Sequence, residues 1–329
     1  MGSIYFKSGV VLVPKSSPER HLKLSFEQFE QLAEAASAWD LSFRQLGPVQ
    51  YPYRLEQVET GHLIYSRSVF SSRFHQAGGS PPGYRTFTLL APGSPEFRWC
   101  GEMITADCLL VMPESGEFES VSPPGLDSFH VSLDKRLLEQ VAQDHFDSDL
   151  AAVLGDERIL CKNGGTSLRE LRNLLQRLSA NIAAGVSVQN RLLTPDIEMR
   201  IARLFLTTLG QGVMQPRGPR NRRMRALSTA LSLLQSVEHR ITVPNLATGT
   251  GVSRRTLETA FQDVFAVSPA AYIKFCRLQR LRCDLVTASA ATLTIERLSQ
   301  AHGFNHGGQL AADYHGLFGE FPSVTLRRN

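Results

Sequence analysis

The spacing of hydrophobic residues changes along this chain of 329 residues. Residues 26–38 have the period of an amphipathic helix. From about residue 39 to residue 133, short segments rich in β-branched and aromatic residues are separated by clusters of Gly and Pro. Many short strands at near-regular spacing are typical of a small sandwich or barrel. We therefore predict a small β-barrel over residues 39–133.

A helical pattern replaces the strands over residues 134–211. One helix carries apolar residues at intervals of three and four, a seam of two heptads formed by Leu168, Leu171, Leu175, Leu178 and Ile182. A seam this narrow favours a dimer interface with a partner helix, and packing in the chain's own core is the alternative. A second helix should follow Thr194, because Pro195 suits the first helical position. Residues 1–213 are thus predicted to form one α+β domain.

The last third of the chain contains one pattern twice. In the first copy, residues 243–265, Thr242 can cap a short helix, Gly251 can supply a left-handed turn, and Ser253 can cap the next helix. This is the pattern of a helix-turn-helix. Residues 248–250 are poor helix formers, so the first helix should be short or frayed.

The second copy of the pattern covers residues 294–318, and a longer helix at 269–288 lies between the two copies. A segment with two Pro and one Gly, residues 214–221, precedes this part of the chain and reads as a linker. We therefore predict an all-α domain with two helix-turn-helix units over residues 222–329.

Charge is distributed unevenly between the two predicted domains. Residues 1–215 carry 20 Lys and Arg against 24 Asp and Glu, whereas residues 216–329 carry 15 against 7, a net charge of +8. A basic module joined to an acidic remainder indicates a nucleic-acid partner for the basic part.

The five cysteines are odd in number and form no CxxC pair, which favours reduced thiols in a cytoplasmic protein. No apolar run approaches the roughly 18 residues of a membrane span, so we expect no membrane partner.

Residues 222–328 resemble the DNA-binding domain of the AraC/XylS family of bacterial transcription regulators, in which one long helix joins two helix-turn-helix units. The matching residues are Ala247, Gly251, Ser253, Leu257 and Phe261 in the first copy, Ser268, Pro269, Tyr272, Arg277, Leu278, Arg282 and Leu285 in the linking helix, and Ile295, Gly303, Phe304, Tyr314, Phe318, Gly319 and Pro322 in the second. Residues 1–213, a barrel followed by two helices, are similar to the cupin-like effector-sensing and dimerisation domain that many members carry.

The resemblance implies a sequence-specific transcription regulator, an activator, controlled by a small molecule bound in the N-terminal domain. The implied partners are double-stranded DNA, this effector, RNA polymerase and a second copy of the chain, and no cofactor is implied. Two alternatives stay open. One is a cupin-like enzyme with a basic DNA-binding tail, for which the sequence offers neither a metal-ligand grouping nor a nucleophile motif. The other is an architectural DNA binder without an effector.

The residues expected at the DNA follow from their places on the two recognition helices. The first helix should present Ser253, Arg254, Arg255, Thr256, Glu258 and Thr259. The second should present His306, Gly307, Gly308 and Gln309, a set that reads less sequence because only the glutamine suits a base edge. The arginines that enter the domain should contact phosphates, with a solvated linker as the alternative: Arg220, Arg222, Arg223 and Arg225.

The effector site is expected among cationic and aromatic residues on or beside the predicted strands, namely Arg67, Arg73, Arg85 and Trp99. Guanidinium groups would suit an anionic ligand and the indole would stack on it, and ordinary structural arginines are the alternative. His62, His75 and His130 are scattered and lack the close His-x-His and Glu grouping of metal cupins, so no metal is expected.

Overall fold

The computed structural model of the chain describes residues 20–26, 41–48, 53–70, 72–99, 102–114, 118–146, 154–155, 158–184, 193–215, 222–236, 241–287 and 294–327. The chain divides into two compact units. The first comprises residues 1–43, 51–71 and 76–217, and the second comprises residues 44–50, 72–75 and 218–329. The N-terminal region is rich in β-sheet and the C-terminal region is helical, as the sequence predicts.

The strands form two sheets in which every described pair is antiparallel. They are β1 (Arg20–Phe26), β2 (Leu41–Gln45), β3 (Tyr53–Glu59), β4 (Leu63–Val69), β5 (Phe74–Gly78), β6 (Tyr84–Leu90), β7 (Phe97–Trp99), β8 (Glu102–Ile104), β9 (Cys108–Val111), β10 (Phe118–Ser122), β11 (Asp127–Asp134), β12 (Ile159–Lys162) and β13 (Val213–Gln215). The larger sheet has the order β1-β3-β4-β11-β6-β9-β12-β13, and the smaller has the order β2-β5-β10-β7-β8.

These strand orders correct the predicted barrel. Each sheet has two free edges among the described strands, so the closed barrel expected over residues 39–133 is not what the pairing forms. The larger sheet also extends beyond that range, because β1 begins at Arg20 and β12 and β13 add strands from later in the chain. The amphipathic helix expected over residues 26–38 lies outside the described residues except for Phe26, which ends a strand.

Three helices cover the apolar side of the larger sheet: α1 (Lys135–Phe146), α2 (Gly165–Ala183) and α3 (Pro195–Gln211). Side chains alternate between the two faces of a strand, so Phe129 and Val131 of β11 point to one side and Ser128 and His130 to the other. The apolar members join the helices in one core. Phe87 of β6, for example, stacks on Phe205 of α3 with ring centroids 4.1 Å apart.

The leucine seam of α2 faces this core. Its residues, Leu168, Leu171, Leu175, Leu178 and Ile182, are between 0% and 5% exposed and belong to the cluster that includes the sheet and α3. The assignment of the seam as a dimer interface is therefore corrected, because these side chains have no surface left for a partner helix. A 3-4 spacing over two heptads is equally compatible with a helix that packs one apolar face against a sheet. Homodimerisation itself stays a prediction.

The second unit consists mainly of helices: α4 (Arg222–Ser236), α5 (Val243–Thr250), α6 (Arg254–Phe265), α7 (Pro269–Thr287), α8 (Ile295–Ala301), α9 (Gly307–Phe318) and α10 (Pro322–Arg327). Helix α4 packs on α5 and α6, and α7 packs on α6, α8 and α10. The linking helix α7 ends one residue before the predicted boundary. Of the predicted linker 214–221, residues 214 and 215 belong to β13, and the rest lies outside the described residues.

The weak helix formers of α5 have a packing role. A Cβ atom placed on Gly249 would lie 2.6 Å from a methyl group of Leu233 in α4, so the glycine permits close contact between the two helices. The helix is short, as expected, with eight residues.

Cys108, Cys161 and Cys276 are free thiols. Burial raises the pKa of Cys161 to about 11, which keeps this thiol protonated and unreactive at neutral pH. Among the helices within the described ranges, none combines the length and the apolar character needed to cross a membrane.

Candidate functional site

The first helix pair, α5 and α6, is defined by local hydrogen bonds. The Thr242 side chain accepts a bond from the backbone of Asn245, whose own side chain accepts from the backbone of Thr242, which forms a capping box. Gly251 adopts the left-handed conformation with φ of 65° and ends α5. Ser253 then caps α6 by accepting from the Thr256 amide. The predicted helix ends and turn are therefore present.

Helix α6 buries one face and exposes the other. Leu257, Phe261 and Phe265 are buried, whereas the side chains of Arg254 and Arg255 at its first turn are exposed. A short glycine turn and a capped start place this exposed turn at the surface, where backbone and guanidinium donors are available to a polyanion.

The polar residues predicted on this face differ in whether their side chains already form hydrogen bonds or ion pairs within the protein. The Ser253 and Thr256 hydroxyls lie 2.9 Å apart at the cap, and the Thr259 hydroxyl donates to the Arg255 carbonyl. Arg254 Nε lies 2.9 Å from Glu258 Oε1 in an exposed ion pair. Arg255 makes no side-chain hydrogen bond or ion pair with any residue that the structure describes.

The second helix pair, α8 and α9, offers less chemistry at the corresponding turn. Thr294 caps α8 by accepting from the Arg297 amide. Helix α9 begins without a side-chain cap at His306, and its first turn contains Gly307, Gly308 and Gln309, all exposed. The buried face holds Leu310, Tyr314 and Leu317.

Some of the arginines at the start of the second unit form contacts within the protein. Arg222 donates from Nη2 to the Gly251 carbonyl over 3.3 Å, and Arg223 lies 3.5 Å from Asp263 of α6. Arg225 is exposed, and Arg220 lies outside the described residues. The first turn of α4 thus lies beside the turn and the far end of the α5–α6 pair.

The residues expected at an effector site differ in their surroundings. Arg67 forms a two-bond ion pair with Asp127, at 2.9 and 2.7 Å, and donates to Ser179. Arg85 is buried, with Nη1 3.9 Å from the Glu114 carboxylate. Trp99 is buried under the Arg158 guanidinium, which lies 5.8 Å from the ring centroid. Arg73 belongs to the segment 72–75 of the second unit.

A different set of polar residues occupies one face of the central strands β4, β11 and β6. We name this set the hydroxyl-lined face: Ser66, Thr86, Thr88, Ser128, His130 and Ser132. Register places His130 opposite both Ser66 and Thr88. The His130 nitrogens lie 2.9 Å from the Thr88 hydroxyl and 3.0 Å from the Ser128 hydroxyl, and the Thr86 and Ser132 hydroxyls lie 2.8 Å apart.

None of the six residues of the hydroxyl-lined face is charged at neutral pH. Burial lowers the pKa of His130 to about 4, against a smaller opposing effect of the Asp127 carboxylate, so the imidazole is neutral. This set is not predicted from the sequence, although Ser128, His130 and Ser132 alternate there with apolar residues. Within the described ranges, no three His, Cys, Asp or Glu residues are grouped in a way that could hold a metal ion.

Comparison with known proteins finds similarity within the second unit. A family model described as a helix-turn-helix domain matches residues 246–328. The probable thc operon regulatory protein of Rhodococcus erythropolis is 37% identical over 87 residues, which are 26% of each chain. The XylDLEGF operon transcriptional activator 1 of Pseudomonas putida is 32% identical over 94 residues, which are 29% of this chain and 28% of the relative. The matched segment thus spans about a quarter of these relatives.

Among solved structures, a probable AraC family transcriptional regulator from Rhodopseudomonas palustris is 35% identical, with a TM-score of 0.30, over 31% of this chain and 95% of that one. The AraC-like transcriptional activator CuxR is 15% identical, with a TM-score of 0.45, over 80% of this chain and 96% of that one. The family model match begins within α5 and extends beyond α9, so it covers α6, the second helix pair and the helix between the pairs. In its C-terminal third, the chain is therefore similar to transcription regulators of the AraC/XylS family.

Proposed function

We propose that the chain is a sequence-specific DNA-binding transcription regulator and that its α5–α6 and α8–α9 pairs act as two helix-turn-helix units. One observation carries this proposal. A left-handed glycine turn and a serine cap present two exposed arginines at the first turn of α6, inside the segment that matches the family model. Arginine at this position of a recognition helix can donate two hydrogen bonds to a guanine edge in the major groove.

The names of the relatives support the type of regulation that we propose. The Pseudomonas putida relative is an operon activator, and the Rhodococcus relative is an operon regulator. Activation of transcription implies RNA polymerase as a partner and a cytoplasmic location. A homodimer, which we also propose, would have to use a surface other than the leucine seam of α2.

We further propose that a small-molecule effector binds to the hydroxyl-lined face of the larger sheet. Buried sheet faces are usually apolar, yet here three adjacent strands present hydroxyl groups and one neutral imidazole. A ligand recognised by these groups would be uncharged and rich in hydrogen-bonding groups, because an anion would meet no cation among the six residues of the hydroxyl-lined face. The arginines expected to bind an anion are instead paired with Asp127 or buried near Glu114.

A selection of binding sites from a random DNA pool tests the regulatory proposal. The full-length chain should enrich one sequence and bind it at least about a thousandfold more tightly than a scrambled duplex at physiological salt. Equal affinity for both duplexes would contradict the proposal.

Thermal unfolding of the full-length chain tests the effector proposal. Uncharged sugars and polyols are compared with aromatic and aliphatic carboxylates as probes. We expect stabilisation only in the uncharged group, and we expect its loss in Thr88→Val. Stabilisation by carboxylates that Thr88→Val retains would contradict the assignment.

A further inference from the structure

Helix α7 carries cationic side chains that bind to groups on both sides of it within the second unit. Arg277 donates to the Ile241 carbonyl over 2.9 Å, and Arg280 donates to the Leu234 carbonyl over 2.6 Å. In the other direction, Lys274 lies 2.9 Å from Asp313 of α9, and Arg282 lies 2.7 Å from Glu320. One helix is therefore tied by polar contacts to the segments around the first helix pair and to the second.

The contact between Arg282 and Glu320 is the most buried of the four. Their side chains are only 5% and 11% exposed. The Arg282 guanidinium also lies 4.7 Å from the ring centroid of Phe318, the last residue of α9. Arg282 therefore contacts both the end of the second recognition helix and the residue that follows its left-handed cap, Gly319.

Further hydrogen bonds fix the position of the Glu320 carboxylate. The Thr325 hydroxyl of α10 donates to Glu320 Oε1 over 2.9 Å. The hydroxyl of Tyr314, which is buried in the middle of α9, lies 2.8 Å from the same threonine oxygen. Two points of α9, one turn apart, are thus connected to α7 through a single polar network.

Such a network acts on orientation more than on net stability. Burial of two charges carries a desolvation cost that consumes most of their attraction, and apolar residues of similar volume often replace buried pairs without loss of stability. The planar guanidinium accepts few geometries, whereas an apolar contact permits sliding. An ion pair at this place therefore restricts the angle between α7 and α9.

We propose that Arg282 and Glu320 are positioning residues that set the orientation of the second recognition helix, and hence the spacing at which the second half-site of DNA is accepted. The proposal rests on the proposed DNA-binding function. Neither residue contacts DNA in this proposal, and both affect which spacing of the two half-sites the protein prefers.

The test uses the full-length chain and the DNA site selected from a random pool. Affinity is measured for this site, for sites with one base pair inserted or removed between the half-sites, and for a site with the second half scrambled. Wild type should prefer the selected spacing. In Arg282→Lys and Glu320→Gln, this preference should fall by roughly tenfold, a typical effect within one polar network, while binding to the site with a scrambled second half stays unchanged.

Glu296→Gln is the matched control, because it makes the same chemical change at an exposed position of α8. If neither variant folds, as judged by circular dichroism, Thr325→Val tests the same network by removing one bond to Glu320. Variants that keep the wild-type spacing preference would overturn the inference alone. Variants that lose affinity equally for every site would also overturn it, since that loss reflects folding. A wild type without any site preference would overturn the proposed function itself.

Discussion

At the scale of single residues, Arg255 at the first turn of α6 has side-chain donors that remain available for hydrogen bonds. Ser253 and Thr256 are engaged at the cap, and Arg254 is paired with Glu258. An exposed i, i+4 pair contributes only about 0.3–0.5 kcal/mol, so Arg254 can exchange Glu258 for a phosphate at little cost. Arg255 needs no such exchange and is the residue that we expect to read a base.

Arg255→Ala should therefore weaken binding to the selected DNA site by about 1–3 kcal/mol and relax selectivity at one or two base pairs. Gln309→Ala should have a smaller effect, because the first turn of α9 is otherwise formed by glycines. Selection from a random DNA pool with each variant measures both effects. Arg297→Ala, which removes an exposed arginine elsewhere, is the control. A larger loss of selectivity for Gln309→Ala would contradict this division between the two helices.

His130 makes the stability of the first unit depend on pH. Its pKa is about 4 in the folded chain and 6.5 in the ordinary case, so above pH 6.5 the imidazole is neutral in both states. Between these values only the unfolded chain gains a proton, and the free energy of unfolding falls as the pH falls, by on the order of 3 kcal/mol in total. Urea unfolding of wild type and His130→Gln at pH 7 and pH 4.5 should show the steeper loss in wild type. Equal losses would contradict the burial of a neutral imidazole.

At the scale of elements, the turn between α5 and α6 depends on backbone conformation at one residue. Gly251 has φ of 65°, and a Cβ placed there would meet no atom within 4 Å. The cost of a side chain is therefore conformational and not steric. Gly316 has the same open surroundings but lies inside α9, where glycine weakens a helix.

The two glycines should respond oppositely to alanine. Gly251→Ala should destabilise the second unit by about 1–2 kcal/mol, because L residues avoid the left-handed region. Gly316→Ala should stabilise it by up to about 1 kcal/mol. Chemical denaturation followed by circular dichroism measures both. A Gly251→Ala variant as stable as wild type would show that the turn does not need its observed conformation, and a destabilising Gly316→Ala would contradict the second expectation.

The inward orientation of the α2 seam is also open to measurement. Leu175 is 0% exposed in the core between α2, α3 and the sheet. Leu175→Ala should destabilise the chain by about 2–5 kcal/mol through the cavity that it leaves. Its neighbour Gln176 is exposed, so Gln176→Ala is the control and should change stability by less than about 0.5 kcal/mol. A loss of stability that depends on protein concentration would instead support the seam as a dimer interface.

At the scale of the whole molecule, the net charge of +8 over residues 216–329 overstates what is available to DNA. Lys274, Arg277, Arg280 and Arg282 of α7 bind to carboxylates or carbonyls of the protein itself. Within the described part of this segment, exposed cations that remain available for phosphates include Arg225 of α4, Arg255 of α6 and Arg297 of α8.

The salt dependence of DNA binding distinguishes cations that contact phosphates from cations that bind to groups of the protein itself. Each phosphate that the protein neutralises contributes about −0.9 to the slope of log affinity against log salt concentration. Arg225→Ala should therefore reduce the magnitude of the slope by about 1, whereas Arg280→Ala should leave it unchanged, because that guanidinium donates to Leu234. A titration of the full-length chain and both variants provides the values. A change of slope in Arg280→Ala, or a flat slope in wild type, would contradict the assignment.

Features that depend on neighbours a few residues away were predictable from the sequence. Thr242, Gly251, Ser253 and Thr294 act within one helical turn, so residue type alone indicates the cap or the turn. The order of a β-rich region before a helical one follows from period and composition in the same way. The resemblance of the last third to a known family adds to this reading, because its matching residues are these same caps, turns and core positions.

Features that depend on distant partners required the tertiary structure. The 3-4 spacing of α2 identifies an apolar face but not what covers it, and the sheet that does so includes residues such as Phe87, far away in the sequence. Arg67 and Arg282 are ordinary cations in the sequence. They are committed to Asp127 and Glu320 because the fold brings together positions 60 and 38 residues apart. Sequence alone therefore determined the helices, the caps and the similarity to a known family, whereas packing over long separations decided which apolar faces and which charges remain available for binding.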